Sequence, residues 1–138
     1  KHLKDILAPG GVIAITVPND FSELQKLFLS NGLVDSPYWI APPEHLHYFT
    51  AESLKALVGK SGFQCGDMLA DFPIDWFIAN EESNYISNKS AGKGAHTARL
   101  AIENLMAEKP VDQINRFYRE LANLGLGRGI TAFLTVRG

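Results

Sequence analysis

A chain of 138 residues, 46% hydrophobic and 20% charged, has the size and composition of one soluble globular domain with a single core. Its formal net charge of -2 gives no electrostatic reason to expect nucleic acid or an anionic membrane as partner. The lone Cys65 cannot form an internal disulfide, no apolar run reaches the roughly 18 residues of a membrane span, and the start lacks the apolar stretch of a signal peptide. A cytoplasmic protein is expected.

The first residues, KHLKDILAPGG, place Leu3, Ile6 and Leu7 at helical spacing before Pro9-Gly10-Gly11, as in the last turns of a helix. With no initiator methionine, this reads as a fragment of something longer. VIAITV, 12 to 17, is a short β-branched run of the kind buried on both faces in parallel sheets, and Pro18 ends it. In DFSELQKLFLSNG, Asp20 is expected to cap a helix whose Leu24, Leu27 and Phe28 share a face and whose Gly32 supplies the stop.

Residues 33 to 49 form a stiff, proline-rich connection. Thr50 then caps a second helix, with Leu54, Leu57 and Val58 as its stripe and Gly62 as its end. FQCGDMLADF, 63 to 72, reads as a strand interrupted at Gly66 and Asp67. A long loop from Pro73 to Ala95 carries Trp76, Phe77 and Tyr85. Two helices follow, about 95 to 108 and 110 to 124, the second admitting Pro110 in its first turn. In the tail, Ile130, Ala132, Leu134 and Val136 alternate with Thr131, Phe133, Thr135 and Arg137, the period of a strand with unlike faces. The order of strands and helices implies α/β layering in one partial domain, 1–138, with a helical insertion over about 73–125. The unpaired strand edges predict self-association of the chain.

Two motifs carry a family resemblance. LAPGGVIAITVPN and, downstream, PPEHLHYFTAESLKALVGKSGF resemble the C-terminal half of class I S-adenosylmethionine-dependent methyltransferases, in the branch with L-x-P-G-G before the fifth strand and E-H-x-x-x-F-[ST] before the next helix. The resemblance implies the C-terminal part of a Rossmann-like methyltransferase fold: a three-stranded mixed sheet with flanking helices. Residues 12 to 17 are then the fifth strand, 63 to 71 the sixth, and 129 to 137 the seventh, inserted antiparallel between the other two. The glycine-rich turn and acidic residue with which that family holds the methyl donor have no counterpart here. S-adenosylmethionine is therefore expected in the intact protein and not on this chain alone, which would be inactive by itself. The GKG at 92 to 94 follows no predicted strand and does not replace that turn.

In open α/β sheets ligands sit beyond the carboxyl ends of the strands, which puts Pro18, Asn19 and Asp20 on the reactive edge. Methyl transfer to a hydroxyl or carbon acid needs a positioned acceptor and a base, which a histidine beside a carboxylate can supply. The stretch is similar to sugar C-methyltransferases that use a Glu-His pair as that base, which carries over to Glu44 and His45 as catalytic residues. Where those enzymes place a tyrosine two residues before the glutamate, this chain has Pro42.

His47, Tyr38, Trp39, Asn19, Trp76 and Tyr85 are the candidate contacts to a small-molecule substrate, a sugar or another small polar metabolite. No metal is expected, because His2 and His96 stand in no ligand spacing to His45 and His47. Lys89, Lys93, His96 and Arg99 flank a helix start, where a nucleotide-sugar diphosphate could dock or a basic face simply meet solvent. The alternative to an enzyme is a non-catalytic binding or assembly module that keeps the methyltransferase-like sheet.

Overall fold

A computed structural model describes residues 2–137. Its elements in chain order are α1 (His2–Ile6), β1 (Ile13–Pro18), α2 (Glu23–Ser30), α3 (Ala51–Lys60), β2 (Phe63–Ala70), α4 (Gly92–Ala107), α5 (Val111–Asn123) and β3 (Gly129–Val136). The expected loop after β2 is wound into three short 3-10 turns, Ile74–Ala79, Glu81–Ser83 and Lys89–Ala91, and α4 begins three residues before the expected 95. Asparagine starts the second and third of these turns: the side chains of Asn80 and Asn88 accept the backbone N–H two residues on, from Glu82 and Ser90, a local bond that competes with longer regular structure.

The sheet order is β1-β3-β2, the five-seven-six arrangement implied by the resemblance. Both pairings are antiparallel, so β1 and β2 point the same way on either side of β3. The register sets Ile15 opposite Ala132 and Met68 opposite Ala132 from the other side. The interruption expected at Gly66 is a bulge: pairing slips between Cys65 and Asp67, which keeps Phe63, Met68 and Ala70 all buried despite their odd and even numbers.

The unlike faces of β3 decide where the core lies. Ile130, Ala132 and Leu134, all at most 1% exposed, pack with Leu54 and Val58 of α3, Leu121 and Ala122 of α5, and Phe63 and Met68 of β2. Helices α3 and α5 therefore share one face of the sheet. A second cluster, Phe28, Val34 and Ile78, sits under the loops and ties α2 to the 3-10 turns. β1 departs from expectation: it alternates half-buried and exposed residues instead of being buried on both faces, because the face carrying Ala14, Thr16 and Pro18 is left uncovered among the described residues.

Helix starts correct another expectation. Asp20 does not cap α2. Ser22 does, accepting the Gln25 N–H at 3.3 Å while Gln25 Oε1 accepts the Ser22 N–H at 3.0 Å, a complete capping box. Thr50 caps α3 as expected, with Ser53 returning the bond.

Candidate active site

A cleft of about 380 Å³ opens beyond the carboxyl ends of β1 and β2. Because β3 runs the other way, its first residues also reach this edge. The lining comes from the end of β1 (Thr16, Val17, Pro18) and Asp20, from Tyr38, Trp39, Ala41 and His45 of the long connection, and from Asp71, Arg128 and Gly129. The cleft thus lies on the edge at which open α/β sheets place their ligands.

Freed from capping, Asp20 is turned into this cleft. It is 3% exposed, and its Oδ2 has no hydrogen-bond partner among the described residues. Burial raises its pKa above the ordinary carboxylate value; the charge of His45, a backbone hydrogen bond at Phe49 and the charge of Arg128 oppose that rise. The turn that aims it is made by Phe21, whose φ of 57° is a left-handed conformation unusual for an aromatic residue. Such a backbone costs roughly 1–3 kcal/mol, and packing holds it: the Phe21 ring meets Trp39 edge-on at 5.6 Å and Tyr48 at 6.3 Å. The Asp20 N–H also donates to Phe49 O at 2.8 Å, bringing the two ends of the 19–49 connection together.

His45 stands at the exposed rim, its ring 6.4 Å from Tyr48. Its backbone N–H donates to Ala41 O at 2.9 Å, and Tyr48 Oη accepts the Ala41 N–H at 3.2 Å, which folds 41 to 48 into a turn with a cis Pro42-Pro43 bond. Glu44 is exposed and does not line the cleft; the carboxylate brought toward His45 is Asp20.

The substrate-contact candidates divide. Tyr38 and Trp39 line the cleft, their rings edge-on at 5.2 Å, with Tyr38 Oη and Trp39 Nε1 buried and without hydrogen-bond partners among the described residues. Asn19 lies outside the lining and works structurally: its Nδ2 donates to Gly125 O at 3.3 Å and Gly127 O at 3.1 Å. His47 is exposed and leans on Phe49, and Trp76 is 43% exposed against Phe72. Tyr85 sits behind the cleft wall, donating to Asp75 Oδ1 at 2.5 Å. Of the basic set, Arg99 pairs with Glu103 at 3.6 Å, and neither it nor Lys89, Lys93 or His96 lines the cleft.

Sequence reasoning passed over Asp71 and Arg128. Asp71 Oδ1 accepts the N–H groups of Arg128 at 2.6 Å and Gly129 at 2.8 Å, and Arg128 Nη1 donates to the buried Asp75 at 2.9 Å. Burial raises the Tyr38 and Tyr85 phenols, and Asp75 raises them further, so both stay neutral beside the ion pair. The available signal was Arg128 itself, a cation between two glycines at the start of a strand that antiparallel insertion returns to the ligand-binding edge.

Among the described residues no helix is long and apolar enough to cross a membrane, and no three His, Cys, Asp or Glu side chains are grouped to hold a metal ion. No curated protein and no solved structure matches the chain. Residues 1–66, a little under half of the chain, match the model of a family described as a methyltransferase domain. That match supports a methyltransferase domain over the segment that builds β1, α2, α3 and the Pro18-to-His45 wall of the cleft.

Proposed function

We propose that this chain forms the acceptor side of an S-adenosylmethionine-dependent methyl-transfer centre acting on a small polar metabolite. The observation that carries the reading is a buried carboxylate, Asp20, with an unpartnered oxygen in a cleft shared with His45, within the segment that matches a methyltransferase domain.

The cleft wall suits the methyl-bearing end of such a donor. Asp20 Oδ2, Tyr38 Oη and Trp39 Nε1 are buried polar atoms that need a ligand or water partner, and a carboxylate with aromatic rings favours a sulfonium cation. When bound, the donor supplies an electrophilic methyl group. These 138 residues contain no predicted strand followed by a glycine-rich turn for the nucleoside end, and this reading assigns none of them to its grip.

The chain's own residues do the rest. Tyr38 and Trp39 orient the acceptor; His45, at the rim, takes its proton; Asp20 stabilises the imidazolium that results. Glu44, in this reading, is a solvent-facing neighbour and Asp20 takes the carboxylate role.

The test is calorimetric titration of S-adenosylhomocysteine into the 138-residue chain and into a version extended upstream. Binding by the extended version alone supports the proposal. Micromolar binding by the short chain would relocate the donor pocket, and silence from both would favour a non-catalytic module.

A further inference from the structure

The cleft contains a cation that the methyl-transfer reading leaves unused. Arg128 is gripped from behind: its Nη1 donates to Asp75 Oδ1 at 2.9 Å and to Tyr85 Oη at 3.2 Å, and its guanidinium carbon lies 5.1 Å from the centroid of the Tyr38 ring. Asp75 is 2% exposed, so the anchor is buried. The backbone is fixed as well, with the Arg128 N–H on Asp71 Oδ1 and its carbonyl accepting the Asn19 N–H at 2.8 Å. The outer edge is different. Among the described residues Nε and Nη2 have no hydrogen-bond partner, the side chain keeps 37% of its exposure, and Arg128 is the only lysine or arginine lining the cleft.

We propose that the cleft binds a carboxylic acid whose carboxylate is held by the free edge of the Arg128 guanidinium. Calling that acid the methyl acceptor rests on the reading above; the carboxylate site does not. Nε and Nη2 are two coplanar donors, and a carboxylate presents two coplanar oxygens at matching spacing. The arginine is already held, so little conformational freedom is lost on binding. Charge selects a monoanion. Asp20 and Asp71 line the same cleft and Asp75 already neutralises part of the guanidinium, so a phosphate dianion would meet two like charges for one shared cation. The cleft of about 380 Å³ is lined by the Tyr38 and Trp39 rings as well as by Arg128 and His45, which suits an acid with a flat aromatic body.

Binding can be read without any methyl donor. Trp76→Phe leaves Trp39 as the single indole of the chain, and its fluorescence is followed during titration with 4-hydroxybenzoate, its neutral amide 4-hydroxybenzamide, and phenyl phosphate. The expected result is a saturable change with the carboxylate, and affinities about tenfold or more weaker for the amide and the phosphate. Arg128→Lys keeps a cation against Asp75 but loses the planar edge, and should weaken the carboxylate by about tenfold in a chain whose folding is checked by circular dichroism. If that variant does not fold, the ligand series on the arginine-bearing chain decides alone. An amide that binds as tightly, a phosphate that binds more tightly, no saturable change with any ligand, or unchanged binding by a folded lysine variant each overturns the proposal. Failure here leaves the donor titration untouched, while carboxylate binding combined with a silent donor titration would remove methyl transfer and keep the carboxylate site.

Discussion

At position 20 the chain holds a carboxylate at a cost to its own stability. The folded value of Asp20 is raised above its unfolded value, chiefly by burial, so the native state binds the proton more tightly and stability falls as pH rises through and above about 4. Asp20→Asn should therefore stabilise the fold by about 1 kcal/mol at neutral pH, a gain that shrinks in acid, as urea titrations at several pH values would measure. The same substitution should lower methyl-transfer turnover by about 10²-fold in the donor-competent protein, as should His45→Ala, while Glu44→Gln leaves it nearly unchanged. Equal losses at Glu44 and Asp20 in a steady-state assay would reinstate the Glu-His pair. The sequence motif singled out His45 and its neighbour Glu44, of which only His45 lines the cleft. It did not reveal that Asp20 shares the cleft with His45, because Ser22 and Asp20 are equally good caps on paper and only the left-handed turn at Phe21 decides which of them caps α2.

Among the elements, the loop from α5 into β3 is tightly constrained. Gly127 has φ 90°, and a Cβ there would come within 2.7 Å of Ala70 Cβ and 2.9 Å of Asp71 O. Gly127→Ala should destabilise by about 1–3 kcal/mol or more, and Asn19→Ala by about 1–3 kcal/mol through two lost bonds to the same loop; thermal melts would show both. The bulge in β2 is clamped from outside by Arg119, whose Nε and Nη2 reach Asp67 at 2.8 and 2.7 Å. That pairing holds the Asp67 carboxyl below the usual range, so its stabilisation is present above about pH 4 and is lost as pH falls through the folded value. An Arg119→Gln variant should accordingly differ most from the parent at neutral pH and converge with it in acid. The helices and β3 were legible because each shows its own period in the hydrophobic residues, and β1 as an unbroken β-branched run, with Thr50, Gly62 and Pro110 as punctuation. The stretch from 73 to 91 was not, since its order comes from asparagine side chains and from the buried Asp75, neither of which has a period.

For the whole molecule, the sheet leaves the outer edge of β1 without a partner strand among the described residues, beside an apolar groove of about 170 Å³ lined by Ile15, Phe49, Leu57 and Phe63. An edge of this kind is a template for pairing, and we expect the 138-residue chain to self-associate with rising concentration. Light scattering should show that rise, and Ala14→Lys, an exposed charge on the edge strand, should suppress it; a monodisperse monomer at high concentration would contradict the expectation. The strand order β1-β3-β2 could not come from periodicity, because an antiparallel insertion pairs residues 115 apart, such as the Thr16 and Thr131 hydroxyls at 2.8 Å. It was legible only through the family resemblance. The cleft depends on that insertion, since Arg128 and Gly129 reach Pro18 only because β3 runs back toward the end of β1.

The self-contained start of α2 separates two properties that usually change together. Ser22 and Gln25 satisfy each other's backbone groups without help from position 20, so the charge, size and polarity of that side chain can be varied while the helix keeps its first turn. A full set of substitutions at this single position would then report on burial and charge in the cleft with the helix cap held constant.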